Sequence, residues 1–197
     1  MYVILEGIDR AGKSTQMKML QSRLPDAVFT KEPGGTKLGE AIRELVLHGG
    51  EIAPIAEMFL FLADRNQHLN EIILKNNQKT VISDRGFISG IAYAHVKTGL
   101  PIKKLIDLNM TSLEKTLPDR AVLLKLSPRE LDRRLPVQKL DNIESKGSEF
   151  LIRVQEIMEH TLKICGIEHI VLDASQSKEA LNEKIYNFIT KDSKWPQ

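Results

Sequence analysis

Residues 7–14 of the chain are Gly-Ile-Asp-Arg-Ala-Gly-Lys-Ser, which is the spacing Gly-x-x-x-x-Gly-Lys-Ser. An apolar run, residues 2–6, precedes this stretch, and a segment of helical period, residues 13–24, follows it. Glycines let successive backbone N–H groups curl around phosphate oxygens, and the N-terminus of the following helix adds positive potential. In this pattern the lysine reaches the β- and γ-phosphates and the serine hydroxyl binds Mg²⁺. The stretch therefore predicts a nucleoside triphosphate site, with Lys13 and Ser14 in these two roles.

Short apolar runs alternate with longer segments of helical period along the rest of the chain. The predicted strands are residues 2–6, 27–31, 80–83, 121–126 and 169–172. The predicted helices are residues 13–24, 38–47, 55–76, 88–97, 103–116, 149–165 and 178–190, the last with Ser175 and Ser177 as candidate N-caps. This alternation predicts an α/β protein with a doubly wound, parallel, five-stranded sheet and helices on both faces. Ligands of such sheets bind beyond the carboxyl ends of the strands, so the residues after each run are the candidates for a site.

Composition narrows the class of protein. The 197 residues are 42% hydrophobic and 27% charged, which is typical of one domain, 1–197, with a sizeable core. The formal net charge of +2 argues against a surface that coats nucleic acid. A single cysteine, Cys165, cannot form an internal disulfide, and the most apolar run, residues 58–63, is far shorter than the ~20 residues of a membrane helix. We therefore expect a cytoplasmic protein that binds neither nucleic acid nor a membrane.

The third predicted strand is followed by Asp84 and Arg85. A carboxylate at this strand end, beside the loop of the first strand, suits Mg²⁺ coordination or the orientation of its waters. The guanidinium adds a planar donor fork that suits a phosphate. A structural ion pair at a strand terminus is the alternative.

Inside the loop, Asp9 and Arg10 place opposite charges next to the expected triphosphate. A carboxylate there is repelled by phosphate, so Asp9 is expected to hold a metal-bound water or a sugar hydroxyl of an acceptor. Arg10 can stabilise charge on the transferring group from within the loop. A solvated Asp–Arg pair is the alternative for both residues.

Three further side chains suit an acceptor with a flat ring. Phe61 and Arg65 are four residues apart, so they share one helix face, and an aromatic plane beside a guanidinium suits a nucleobase. Tyr93 suits a substrate wall. Ordinary core packing is the alternative for both aromatic residues.

The segment between Lys125 and Lys139 holds five basic and two acidic residues, and Pro128 and Pro136 bracket a short predicted helix in it. A short basic LID at approximately 129–142 that closes over phosphates has this composition, and so does a solvated helix face.

Several segments beyond the phosphate loop follow one another in a specific order. They are KEPGGT at 31–36, LFLADR at 60–65, SDRGFISGIAY at 83–93, DNIE at 141–144 and LDAS at 172–175. Together with GIDRAGKSTQ at 7–16 they resemble the thymidylate kinases, a family of P-loop nucleoside monophosphate kinases, over nearly the whole chain. The resemblance implies transfer of the γ-phosphate of ATP to dTMP with Mg²⁺, which gives dTDP for dTTP biosynthesis. It also implies a homodimer built on packed helices, to which residues 58–63 could contribute.

The resemblance assigns roles to individual side chains. Asp9 meets the 3′-hydroxyl of the acceptor deoxyribose, Phe61 stacks on thymine, and Arg65 contacts the carbonyl edge of the base. Arg85, with help from Arg43, holds the acceptor phosphate, and Tyr93 walls off the 2′ position. The predicted substrate-binding set is Asp9, Glu32, Pro33, Arg43, Phe61, Arg65, Arg85, Ser89 and Tyr93. The predicted ATP-binding set is Gly7, Ile8, Asp9, Arg10, Ala11, Gly12, Lys13, Ser14, Thr15, Arg133 and Arg134. The predicted catalytic residues are Arg10, Lys13, Asp84 and Arg85, and the predicted metal ligands are Ser14, Asp84 and Asp9.

The chain departs from the family pattern at several positions. Gly86 stands where an aromatic residue or His is usual, so part of the acceptor wall is missing or supplied by Phe87. Gly90 stands where a polar side chain sometimes contacts the base, and Lys31 replaces an arginine and loses its bidentate fork.

Members of the family place the catalytic arginine either in the phosphate loop or in the flap. Arg10 puts this chain with the first arrangement, and Asn142, where many relatives have an arginine, makes Arg10 more necessary. Arg133 and Arg134 remain in the flap region, so a shared role stays open.

Two other functions stay open from the residues alone. One is a P-loop kinase of another pyrimidine nucleoside or ribonucleotide, although Arg85 favours a phosphorylated acceptor. The other is a non-catalytic ATPase or a nucleotide-gated nucleic-acid binder. A GTPase is disfavoured because the chain has no Asn-Lys-x-Asp motif.

Overall fold

The computed structural model describes residues 1–135 and 147–191. The strands are β1 Tyr2–Glu6, β2 Val28–Lys31, β3 Val81–Asp84, β4 Arg120–Lys125 and β5 Glu168–Asp173. The helices are α1 Lys13–Arg23, α2 Lys37–His48, α3 Pro54–His68, α4 Phe87–Thr98, α5 Ile102–Ser112, α6 Pro128–Arg134, α7 Gly147–Cys165 and α8 Lys178–Thr190. A π-helical turn, Leu69–Ile73, and a 3₁₀ turn, Leu74–Asn76, continue α3.

The five strands form one all-parallel sheet in the order β2-β3-β1-β4-β5, which confirms the predicted α/β fold class. The register places Leu5 of β1 beside Asp84 of β3 and Val122 of β4. The chain leaves β1 toward one edge of the sheet and leaves β3 toward the opposite edge. A crevice therefore opens beyond the carboxyl ends of these two adjacent strands, where doubly wound sheets bind their ligands.

The core lies around the central strands β1 and β4 and around α4. Every residue of β1 is buried, which is expected of a strand covered on both faces by helices. Helix α4 packs against α3, α5 and α7, so seven of its residues are buried, and Phe87 is among the largest of them. This packing fixes the helix whose first turns follow Asp84 and Arg85.

The structure moves several predicted boundaries. The helix predicted at 103–116 ends at Ser112, because Glu114 and Lys115 adopt positive φ angles of 48° and 64° and Lys115 N–H bonds back to the Met110 carbonyl. Ser177 caps α8 by accepting a hydrogen bond from Ala180 N–H at 3.2 Å.

The predicted helix of the LID is α6, whereas residues 136–142 of the LID and the segment 141–144 lie outside the described residues. None of the helices within 1–135 and 147–191 has the length and apolar character that a membrane crossing requires.

Candidate active site

The loop between β1 and α1 curves because three of its residues take up left-handed backbone angles. Gly7 has φ 149°, and a Cβ atom there would lie 2.8 Å from the carbonyl oxygen of Leu124. Gly12, with φ 94°, turns the chain into α1, and Arg10 has φ 64°. The loop therefore brings its backbone N–H groups and the N-terminus of α1 to one concave surface, which suits phosphate.

Lys13 is folded inside this loop. Its Nζ donates to the carbonyl oxygens of Gly7 at 2.8 Å and Ile8 at 3.0 Å, and the side chain is buried. Burial, together with repulsion from the Arg85 guanidinium, lowers the pKa of the Lys13 ammonium to about 8. An ammonium with carbonyl partners can exchange them for phosphate oxygens, which carry full charge.

Asp84 offers an oxygen for a cation. Its Oδ1 is buried and has no hydrogen-bond partner among the described residues. A buried carboxylate oxygen without a partner carries a desolvation cost that a metal ion or an ordered water would remove. Ser14 is exposed and lines the same surface pocket as Asp84. No group of three or more His, Cys, Asp or Glu in the described ranges could hold a metal ion.

Asp9, Arg85 and Tyr93 form a hydrogen-bonded group at the mouth of the crevice. Arg85 Nη2 donates to Asp9 Oδ1 at 2.5 Å, and the Tyr93 hydroxyl donates to Asp9 Oδ2 at 3.3 Å. Burial acts to raise the pKa of Asp9, but the charges of Arg85 and Lys13 outweigh it and hold that pKa below its ordinary value. Burial raises the pKa of Tyr93, so its hydroxyl stays neutral and can donate. Both oxygens of Asp9 are therefore engaged within the protein, and its predicted part as a metal ligand stays a prediction.

Two pockets meet at this group. One pocket, which we call the acceptor pocket after the prediction, is lined by all nine residues predicted to bind substrate: Asp9, Glu32, Pro33, Arg43, Phe61, Arg65, Arg85, Ser89 and Tyr93. The other, which we call the donor pocket, is lined by nine residues predicted for ATP, metal or catalysis: Asp9, Arg10, Gly12, Lys13, Ser14, Thr15, Asp84, Arg85 and Arg134. Asp9, Glu32, Arg43 and Arg85 line both. The predicted residues Gly7, Ile8 and Ala11 are buried in the loop beneath the donor pocket. The crevice can therefore take two ligands end to end.

The two predicted flap arginines lie in different surroundings. The Arg133 side chain is 73% exposed, and its guanidinium pairs with Glu130 at 2.7 Å. Arg134 donates to the carbonyl oxygens of Arg10 at 3.1 Å and Ala174 at 2.8 Å. The structure thus brings Arg134 to the donor pocket and leaves Arg133 at the surface of α6.

Arg65 lies at the bottom of the acceptor pocket in a buried polar network. Its guanidinium donates to Glu32 Oε2 at 2.9 Å, to Asn109 Oδ1 at 2.7 Å and to the carbonyl oxygen of Gly86 at 3.2 Å. The second oxygen of Glu32 lies 2.9 Å from Nδ1 of His68. Burial acts to raise the pKa of Glu32, but Arg65 and His68 outweigh it and lower that pKa, so the carboxylate stays charged.

The positions where the chain departs from the family pattern also have a structural account. Phe87 is 1% exposed and packs in the core, so it does not replace the missing wall at Gly86. Gly90 lies against Arg65, and a Cβ atom there would stand 2.9 Å from its Nη2. Lys31 lines the donor pocket.

Sequence reasoning missed three buried polar residues that support the site, Glu6, His68 and Asn109. It also missed five residues that line the acceptor pocket: Val46, Leu47, Glu57, Asp64 and Lys97. Glu6 is fully buried and accepts from both the backbone N–H and the hydroxyl of Ser89, which in turn accepts from Arg85 Nη1 at 3.2 Å. Its signal was a carboxylate that ends an otherwise apolar strand. His68 and Asn109 are the other two, and each is a polar residue on the buried side of its helix, which sequence alone does not distinguish from an exposed one.

Comparison with known proteins gives one consistent result. The family model described as thymidylate kinase matches residues 5–185. A thymidylate kinase of Aliarcobacter butzleri is 47% identical over 189 residues, which cover 96% of this chain and 98% of that protein. The thymidylate kinases of Sulfurovum sp. and Helicobacter hepaticus are 41% and 43% identical, each over 96% of this chain and at least 98% of the relative.

Proposed function

The chain belongs to the thymidylate kinase family, and from this premise we propose how its residues phosphorylate dTMP to dTDP with ATP as the donor. The observation that carries the proposal is the meeting of the donor and acceptor pockets at Asp9 and Arg85. Two anionic nucleotides that enter from opposite sides would bring their phosphates together there. The reaction breaks the bond between the γ-phosphorus and the bridging oxygen of ATP, and forms a bond from an acceptor phosphate oxygen to that phosphorus.

On the donor side, the loop amides and Lys13 bind the β- and γ-phosphates. Ser14 and Asp84 would hold Mg²⁺, which would neutralise part of the phosphate charge when bound. Arg10 projects from the loop beside the same pocket and stabilises charge on the transferring group. Arg134 fixes the Arg10 backbone through its carbonyl, which keeps this part of the loop in one conformation.

On the acceptor side, Arg85 holds the phosphate of dTMP, with Arg43 at the same border of the two pockets. Asp9 accepts a hydrogen bond from the 3′-hydroxyl of the deoxyribose, and the Tyr93 ring limits the room at its 2′ position. Phe61, half-buried on the pocket wall, stacks on the base, and Arg65 below it donates to the base carbonyl.

Chemistry at this site is mainly positioning and charge stabilisation. The nucleophile is an ionised phosphate oxygen, so no strong general base is required. Arg85 and Lys13 hold the two reacting groups in line, and the surrounding cations offset the negative charge where the groups touch.

An assay of ADP release tests the proposal. Purified enzyme with ATP and Mg²⁺ is offered dTMP, thymidine, dUMP, UMP or CMP, each at several concentrations. We expect dTMP to give the highest kcat/KM and thymidine, which lacks the phosphate held by Arg85, to give almost none. ADP release at the same rate without any acceptor would contradict phosphoryl transfer between two nucleotides.

We also propose that the enzyme is a cytoplasmic homodimer. Ile55 and Phe59, four residues apart on α3, expose an apolar face, 43% and 54% exposed respectively. Light scattering after size exclusion should give twice the chain mass for the native protein and the chain mass for Phe59→Glu. A native protein that elutes as a monomer at all concentrations would contradict the dimer.

A further inference from the structure

The guanidinium of Arg65 is hydrogen-bonded to three separate segments of the chain. Glu32 after β2, Gly86 after β3 and Asn109 on α5 each take one of its N–H groups. A guanidinium carries five N–H donors, so two of them are left by the described residues for a ligand in the acceptor pocket that this side chain lines. The direction of those two donors is set by the three that are already engaged.

Asn109 contributes an acceptor whose orientation is fixed. Its Nδ2 donates to the Leu105 carbonyl oxygen at 2.7 Å, one helical turn earlier, and its Oδ1 accepts from Arg65 Nη1, also at 2.7 Å. Exchanging the two atoms of the amide would place two donors, and then two acceptors, face to face. Asn109 is 3% exposed, so both bonds are shielded from bulk solvent.

Gly90 supplies the space for this arrangement. A Cβ atom at that position would lie 2.9 Å from Nη2 and 3.0 Å from Nη1 of Arg65. The guanidinium therefore lies against the backbone of α4, and α5 contacts it through Asn109. Glu32 balances the charge of Arg65, while the neutral amide of Asn109 fixes its direction without adding a second negative charge.

We propose that Asn109 is a positioning residue for base selection, which holds Arg65 so that the acceptor pocket favours a pyrimidine with a 4-carbonyl over one with a 4-amino group. The inference rests on the proposed contact between Arg65 and the base. A carbonyl oxygen accepts from the fixed donors, whereas an amino group presents donors to them and leaves buried N–H groups unpaired. A guanidinium free to turn away imposes less of this penalty.

The test compares kcat/KM for dTMP with kcat/KM for dCMP in four variants. Asn109→Leu removes the acceptor, and Asn109→Ser shortens the side chain so that its oxygen no longer reaches Arg65, with little change in the polarity of the helix. Ser112→Ala is the matched control, because Ser112 lies on the same helix and its hydroxyl donates to the Asn109 carbonyl at 3.1 Å without touching Arg65. Arg65→Lys reports whether Arg65 itself selects the base.

We expect the ratio of kcat/KM for dTMP to kcat/KM for dCMP to fall at least about tenfold in both Asn109 variants. The cause should be a higher KM for dTMP, with an unchanged KM for ATP. Ser112→Ala should leave the ratio within about twofold while it lowers the denaturation midpoint. Unchanged ratios in Asn109→Ser, with a lowered midpoint, would overturn the inference and leave Asn109 a structural residue. An unchanged ratio in Arg65→Lys would instead contradict the proposed contact of Arg65 with the base, so the two failures are distinguishable.

Discussion

Asp64 on α3 is a buried carboxylate whose charge should cost stability at neutral pH. The residue is 1% exposed, and its Oδ1 accepts one weak hydrogen bond, from Gly34 N–H at 3.4 Å. Burial, together with the negative charge of Glu32, raises its pKa from 3.8 to about 6. We predict that Asp64→Asn, which keeps the shape and the acceptor but removes the charge, stabilises the protein at pH 7.

The size of the effect follows from proton linkage. The pKa of Asp64 is higher in the folded than in the unfolded state, so folding favours the protonated carboxyl. The contribution of that carboxyl to the free energy of unfolding is therefore complete below about pH 4 and is lost as the pH rises through about 6. The difference between a pKa of 3.8 and one of about 6 corresponds to about 3 kcal/mol. Asp64→Asn should therefore exceed the native protein in free energy of unfolding by about 3 kcal/mol at pH 7 and by about 0.5 kcal/mol at pH 4.

Urea unfolding of both proteins at pH 4, 5, 6 and 7, followed by circular dichroism, measures this difference. Asp107→Asn on α5 is the control, because that side chain is exposed and its substitution should change stability by less than about 0.5 kcal/mol at every pH. A difference between Asp64→Asn and the native protein that is the same at pH 4 and pH 7 would refute the argument. So would a loss of stability at pH 7, since it would mean that the charged carboxylate is stabilising.

Three further substitutions test the site. Arg10→Ala should lower kcat at least about a hundredfold while the Kd for ATP, measured by calorimetry, changes little; near-full activity would move the charge-stabilising role to Arg134. Gly90→Ala should raise the KM for dTMP about tenfold and leave the KM for ATP unchanged, because the new Cβ displaces the Arg65 guanidinium; an unaltered KM for dTMP would show that the displacement is harmless. Asp84→Asn should raise the Mg²⁺ concentration for half-maximal rate about tenfold or more, and EDTA should abolish turnover of the native enzyme; an unchanged Mg²⁺ requirement would remove Asp84 from the metal site.

The phosphate loop was predictable because its geometry is local. The spacing of Gly7, Gly12 and Lys13 contains both the backbone turn and the start of α1, and the structure places all three accordingly. The presence of the five strands was also predictable from local sequence, because each strand follows a short apolar run. A predicted helix end was wrong where the backbone turns to a positive φ angle, as at Glu114 after α5, because no glycine in the sequence marks that turn.

The polar network under the acceptor pocket was not predictable from sequence. Glu32, Arg65 and Asn109 are separated by 33 and 44 positions and lie on three different elements. Glu32 and Arg65 were predicted to bind substrate, but nothing in the sequence pairs them with each other or with Asn109. Only the packing of α3 against α5, together with the course of the loop after β2, puts them in contact and buries them.

The sequence by itself determined that this chain forms a parallel sheet with a phosphate loop at its first strand, because those features depend on short-range spacing and hydrophobic period. It also carried the ordered segments that mark the family. The tertiary structure decided which basic side chains line the donor pocket, that Arg134 and not Arg133 contacts the loop, and that three separate segments hold Arg65. Those outcomes depend on distances between elements far apart in the chain, and such distances are set only when the helices pack on the sheet.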